Sequence, residues 1–154
     1  MTDDPSPSTP PTSLPASATA GPVPVQLTAR DVLLIDDDES VRCVLSEVLK
    51  RNGFSFESAG NGRAALALLT RHKFRLVITD IFMPDMDGLE FIMKYTATNR
   101  RAPILAISGG GRGSLADTSL KPAQLLGSQR TLAKPFGLKD FIAVVQDMLR
   151  EQAA

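Results

Sequence analysis

The chain has 154 residues, of which 43% are apolar and 22% charged, with 17 Lys+Arg balanced by 17 Asp+Glu. That is the profile of one ordinary globular domain, and zero net charge lacks the basic excess of a protein that works by neutralising nucleic-acid phosphates. Cys43 is the only cysteine and His72 the only histidine, which excludes an internal disulfide, a Cys/His zinc site and a Ser/His or Cys/His catalytic pair within the chain. No apolar run reaches the roughly 18 residues of a membrane span, and the acidic start Met1-Thr2-Asp3-Asp4-Pro5 has no secretory character, so a cytoplasmic protein without a membrane partner is expected.

In chain order, residues 1–28 come first. Seven of the 11 prolines fall within the first 24 residues, among Ser, Thr and Ala, and no Lys, Arg, Phe or Ile precedes Arg30. Such a composition buries too little apolar surface to offset backbone ordering, which predicts a disordered tail ahead of a domain at 29–151. Asp31-Val32-Leu33-Leu34-Ile35-Asp36 then reads as a buried strand ending in acid. Val41, Val44, Leu45, Val48 and Leu49 form a helical stripe stopped by Asn52-Gly53, with Cys43 just off it as a structural thiol. Phe54 to Ala59 reads as a less apolar strand nearer an edge, and Asn61-Gly62 opens a helix through Leu69 whose polar end carries an exposed His72. Arg75 to Asp80 repeats the apolar strand with a terminal Asp. A helix over 88–98, a strand over 103–108, a helix over 120–126, a short strand at 131–133 and a last helix striped by Leu138, Phe141, Ile142, Val145 and Leu149 complete the series.

Five strands alternating with five helices predict an α/β fold: a five-stranded parallel sheet, doubly wound, with helices on both faces. Ligands of such sheets bind beyond the carboxyl ends of the strands. Asp36 and Asp37 follow the first strand, Asp80 ends the third, Ser108 ends the fourth and Lys134-Pro135 follows the fifth. Three carboxylates at one edge repel one another unless a cation lies among them, and an all-oxygen donor set favours a hard ion such as Mg²⁺. Lys134 offers a point charge and Ser108 a hydroxyl for phosphate oxygens, and Asp80 is a candidate nucleophile toward phosphorus. Taken singly, each has a structural reading. Asp38 and Glu39 serve as helix cap and dipole partner, Asp87-Gly88 as turn and cap, Ser108 as a strand-end hydroxyl and Lys134-Pro135 as a surface turn.

With those residues in order, the sequence resembles the receiver domains of two-component response regulators, which have a flavodoxin-like fold. The motifs are Val32-Leu33-Leu34-Ile35-Asp36-Asp37-Asp38, Leu76 through Gly88, Ile107-Ser108 and Leu132-Ala133-Lys134-Pro135-Phe136. The resemblance implies a phosphoprotein of a two-component system or phosphorelay, not a metabolic enzyme. Asp80 would accept a phosphoryl group from the phosphohistidine of a sensor histidine kinase or histidine phosphotransfer protein. Asp37, Asp80 and the Phe82 carbonyl would ligate Mg²⁺, and Asp36 would act mainly through a bound water. Ser108 would be the switch hydroxyl, and Lys134 would reach the phosphate with Lys134–Pro135 cis. Output by binding a downstream target protein, with no direct nucleic-acid contact, is expected because no second domain follows the last helix. The face of the fourth and fifth helices is the expected surface.

Three features depart from the family pattern. Thr131 stands where an aromatic switch residue is usual. The Gly-rich loop at 109–114 is longer than common, which suggests a segment ordered by phosphate. Phe82 replaces a polar side chain and is expected to shield the acyl phosphate from water. The residues allow two other readings. Asp36-x-Asp38 allows a haloacid-dehalogenase-type phosphatase, although no second acidic pair follows Ser108. A degenerate receiver acting without phosphate conflicts with the retained acids, hydroxyl and lysine.

Overall fold

A computed structural model describes residues 27–83, 86–108, 123–124 and 126–153. Of the tail expected over 1–28, residues 1–26 lie outside the described residues, as does the Gly-rich loop at 109–114, while Thr28 already belongs to the first strand. Nine elements follow in order: β1 (Thr28–Ile35), α1 (Glu39–Arg51), β2 (Phe56–Ala59), α2 (Gly62–Leu68), β3 (His72–Asp80), α3 (Gly88–Thr96), β4 (Ile104–Ser108), β5 (Arg130–Ala133) and α4 (Leu138–Ala153). The helix expected over 120–126 falls mostly on residues that are not described, with Ala123, Gln124 and Leu126 helical. The described residues therefore show four complete helices where five were expected.

The strands pair in parallel in the order β2-β1-β3-β4-β5, with β2 at an edge as its weaker apolarity suggests. Alternate side chains of the same strands feed two cores, because successive residues of a strand point to opposite faces. On one face Leu33, Ile35 and Val77 pack with Phe91, Ile92 and Tyr95 of α3 and Ala65 of α2. On the other, Val32, Leu34, Leu76 and Ile78 pack with Leu45 and Leu49 of α1 and with Phe141, Val145 and Leu149 of α4. This is the doubly wound arrangement that the alternation predicts. The chain turns from β1 outward to β2 and then back to β3, so the strand order switches between β1 and β3, where a carboxyl-edge crevice opens. No helix among the described residues is long and apolar enough to cross a membrane.

Four local expectations are corrected. His72 is not at an exposed helix end. It opens β3 opposite Thr28, because β1 begins at Thr28, earlier than its apolar run, and supplies main-chain partners there. Its imidazole is 14% exposed, with Nε2 3.5 Å from Glu57 Oε1. Cys43 is exposed rather than structural. Val44 is 48% exposed, since at 3.6 residues per turn it lies about 100° round the helix from Leu45, beyond the buried stripe. Leu138 is 45% exposed at the first position of α4, and Met148 takes part in the buried face instead.

Candidate functional site

The site is assembled from strand ends. Register places Ile35 beside Thr79, Asp80 beside Ile107, and Ser108 beside Ala133, so Asp36, Asp80, Ser108 and Lys134 arrive at one edge. Three main-chain bonds carry this alignment past the strands: Asp36 N–H to Ala59 O at 3.1 Å, Ile81 N–H to Ile107 O at 2.9 Å and Lys134 N–H to Ser108 O at 2.7 Å. Asp36, Asp80 and Ser108 are 1%, 5% and 0% exposed, whereas Asp37 faces solvent.

Carboxylate oxygens of Asp36, Asp37 and Asp80 lie within 4.8 Å of one another, a donor set that could hold a metal ion. Lys134 Nζ stands 3.3 Å from Asp36 Oδ2 and 3.2 Å from Asp80 Oδ2. When all three acids are ionised, one ammonium leaves two negative charges uncompensated, which suits a divalent cation with oxygen preference. Burial pushes the Asp80 carboxyl above its ordinary range, Lys134 pulls it back, and Asp36 adds to the rise. For Lys134, burial pulls the ammonium down, but the carboxylates of Asp80 and Asp36 outweigh it and the net shift is upward. The Phe82 N–H donates to Asp80 Oδ1 at 3.1 Å, fixing the carboxyl so that Oδ2 faces Lys134. Phe82 itself is 50% exposed. The Ser108 hydroxyl is buried without a hydrogen-bond partner among the described residues. A buried hydroxyl left unpaired is costly, and an incoming oxyanion would satisfy it. The Lys134–Pro135 bond is cis, as expected.

Asp38 is consumed by capping: its Oδ1 accepts from Ser40 N–H at 2.9 Å and Val41 N–H at 3.2 Å. That capping role, already read from the sequence, withdraws the second acid that an Asp-x-Asp phosphatase needs. Asp87 likewise accepts from Glu90 N–H at 2.8 Å. Thr131 is partly buried in β5 opposite Ala106, so no aromatic ring occupies that position.

Two residues of the site escaped the sequence reading. Arg42 Nη1 donates to the main-chain carbonyl of Asp36 at 2.7 Å, holding the peptide that carries Asp37. An Arg in the first turns of the helix after an acidic run was the available signal. Gly88, read only as a turn, touches the Asp80 backbone. A Cβ there would lie 2.1 Å from Asp80 O and 2.6 Å from Ile81 Cα. Its N–H donates to Ile81 O at 2.8 Å, so the start of α3 is pressed against the end of β3.

A doubly wound sheet with acids, a hydroxyl and a lysine at its switch point defines a receiver-type signalling domain rather than a metabolic enzyme. The family model of the response regulator receiver domain matches residues 32–146, and the chain belongs to that family, placing it in two-component signalling. It is 32% identical over 118 residues to the response regulator receiver protein CpdR of Brucella abortus, covering 77% of this chain and 95% of that protein. It is 36% identical over 120 residues to the response regulator MprA of Mycolicibacterium vanbaalenii, covering 77% of this chain and 50% of the relative. The chain thus spans about half the length of the MprA proteins it matches. Among solved structures, the chemotaxis response regulator CheY4 of Vibrio cholerae superposes with a TM-score of 0.69 at 27% identity, covering 80% of this chain and 99% of that one. The NtrX receiver domain of Brucella abortus gives 0.71 at 26% identity, covering 78% and 98%.

Proposed function

We propose that Asp80 accepts a phosphoryl group from the phosphohistidine of a sensor histidine kinase or histidine phosphotransfer protein, with Mg²⁺ as cofactor, and that the phosphorylated chain acts by binding a downstream protein. The chain would catalyse only its own phosphorylation and dephosphorylation. The observation that carries this reading is the convergence on Asp80 of Lys134 and two further carboxylates, beside a buried hydroxyl without a partner among the described residues.

An ionised Asp80 oxygen forms the new O–P bond as the P–N bond to the donor histidine breaks. The bonding pair stays on the imidazole nitrogen, and because the other ring nitrogen of the donor carries a proton, the ring departs as neutral imidazole. The Phe82 N–H orients the carboxyl during attack. Lys134 holds Asp80 beforehand and follows the negative charge onto the phosphoryl oxygens, a preorganised electrostatic contribution that needs no rearrangement of solvent. The Ser108 hydroxyl donates to one of those oxygens, acquiring the partner it lacks. Asp37, Asp80 and the Phe82 carbonyl would hold Mg²⁺, with Asp36 acting mainly through water, and the ion would neutralise charge on the transferring group. The half-exposed Phe82 ring beside Asp80 would limit access of water to the acyl phosphate.

Incubation with acetyl phosphate and Mg²⁺ followed by intact-mass measurement tests the proposal. One phosphoryl adduct is expected on the wild type and none on Asp80→Ala. An adduct that survives in Asp80→Ala, or forms equally well in the presence of chelator, overturns it.

A further inference from the structure

At the opposite edge of the sheet, beneath the amino ends of β1 and β3, lies a cavity of about 690 Å³. That lies within the size range of small-molecule sites, about 300–1,000 Å³. Leu69, Phe74 and Tyr95, each less than a tenth exposed, supply an apolar, partly aromatic wall, and Leu27 adds an exposed apolar side chain. The wall is fixed: the Tyr95 ring stacks on Phe91 at 5.9 Å and its hydroxyl donates to Ala102 O at 3.2 Å.

The polar side of the cavity has one sign. Lys73, Arg75, Arg100 and Arg101 line it, and no Asp or Glu among the described residues does, in a chain whose acids and bases are equal in number. Arg75 is engaged by Asp31 at 3.0 Å. Arg100 donates to Leu69 O at 2.9 Å but meets no carboxylate among the described residues, and Lys73 and Arg101 make neither contact there. Three cations without a carboxylate partner among the described residues, gathered around a concave apolar surface, raise the local potential for an anion.

We infer that this cavity binds a small organic anion with a flat apolar body, the body packed on Leu27 over Leu69, Phe74 and Tyr95 and the acidic group toward Lys73, Arg100 and Arg101. The site is independent of the phosphoacceptor edge. β3 runs from His72 at the cavity to Asp80, roughly 26 Å at about 3.3 Å per residue.

The test uses 8-anilinonaphthalene-1-sulfonate as probe, read by its fluorescence and by amide chemical-shift mapping on the full chain. N-phenyl-1-naphthylamine serves as the comparator with the same rings and no charge. Saturable binding is expected, with shifts centred on Leu69, Phe74, Tyr95 and Ala102. Affinity should fall about tenfold for the neutral comparator and at least as much for Lys73→Glu/Arg101→Glu, a reversal of two charges that hold no partner in the described fold. Lys73→Gln/Arg101→Gln, the gentler pair should the reversal impair folding, should weaken binding to an intermediate degree. Asp80→Ala should bind as the wild type does, so failure of the phosphoacceptor reading would leave this result standing. Equal affinity for the charged and neutral probes, indifference to both double variants, or shifts centred away from the cavity would each overturn the inference.

Discussion

Two side chains at the carboxyl edge are held in states that cost stability, and both costs are measurable. Asp80 titrates above the ordinary carboxylate range, chiefly because it is buried. The folded state therefore binds its proton more tightly than the unfolded chain does. The associated stability is fully present below the unfolded pKa and is lost as pH rises through the elevated folded value. At neutral pH without a metal ion the charge opposes folding, and Asp80→Asn should raise stability by about 0.5–2 kcal/mol while abolishing phosphoryl uptake. Urea unfolding in chelator checks this, and the gain should vanish at a pH below both pKa values. Ser108→Ala follows the same logic. Removing a buried hydroxyl that has no partner among the described residues should leave stability unchanged or raise it by up to about 1 kcal/mol, yet slow uptake from acetyl phosphate. Asp36, Asp37, Asp80, Ser108 and Lys134 could be found in the sequence because each is a polar residue directly after an apolar strand. Arg42 and Gly88 were harder to find, because they act on main-chain atoms of Asp36 and Asp80, and no hydrophobic pattern records such contacts.

The element that most constrains the site is the junction between β3 and α3. Gly88 begins α3 with its Cα against the Asp80 carbonyl, and the Asp87 cap fixes where the helix can start. Gly88→Ala would ordinarily favour a helix, but a methyl 2.1 Å from a main-chain oxygen has nowhere to go. It should destabilise the chain by about 1–3 kcal/mol, the usual cost of overpacking, and should displace Asp80 relative to Lys134. A drop in urea midpoint with a proportionally larger loss of phosphorylation rate is expected. A change in stability alone would mean that the junction bears on folding and not on the site. Strand and helix positions were legible because period-two and period-3.6 patterns survive in the buried stretches. The ends were less so. β3 reaches back to His72 because Thr28 to Arg30 pair with it, a tertiary pairing of mostly polar residues that carries no periodic signal.

On the scale of the whole molecule, the chain is electrically neutral but sorts its charge, with a cluster of carboxylates at the carboxyl edge and a cluster of cations at the amino edge of the same sheet. The acidic edge, offset by a single ammonium, makes folding responsive to divalent cations. A ligand that binds only the folded state adds about 2.7 kcal/mol when present at 100 times its dissociation constant. Mg²⁺ should therefore raise the urea midpoint of the wild type. Because the ion must displace the Asp80 proton, the increment should shrink as pH falls through the elevated Asp80 value. A general response of an acidic surface would look similar, and neighbouring residues separate the two. Asp37 and Asp38 are adjacent, both exposed and equally charged, yet only Asp37 turns a carboxylate toward Asp36 and Asp80, while Asp38 caps α1. Asp37→Asn should lose most of the Mg²⁺ increment. Asp38→Asn, which can still cap the helix, should keep it. Equal losses in the two variants would show that the ion responds to the acidic run as a whole, and the assignment of a defined three-carboxylate site would fail.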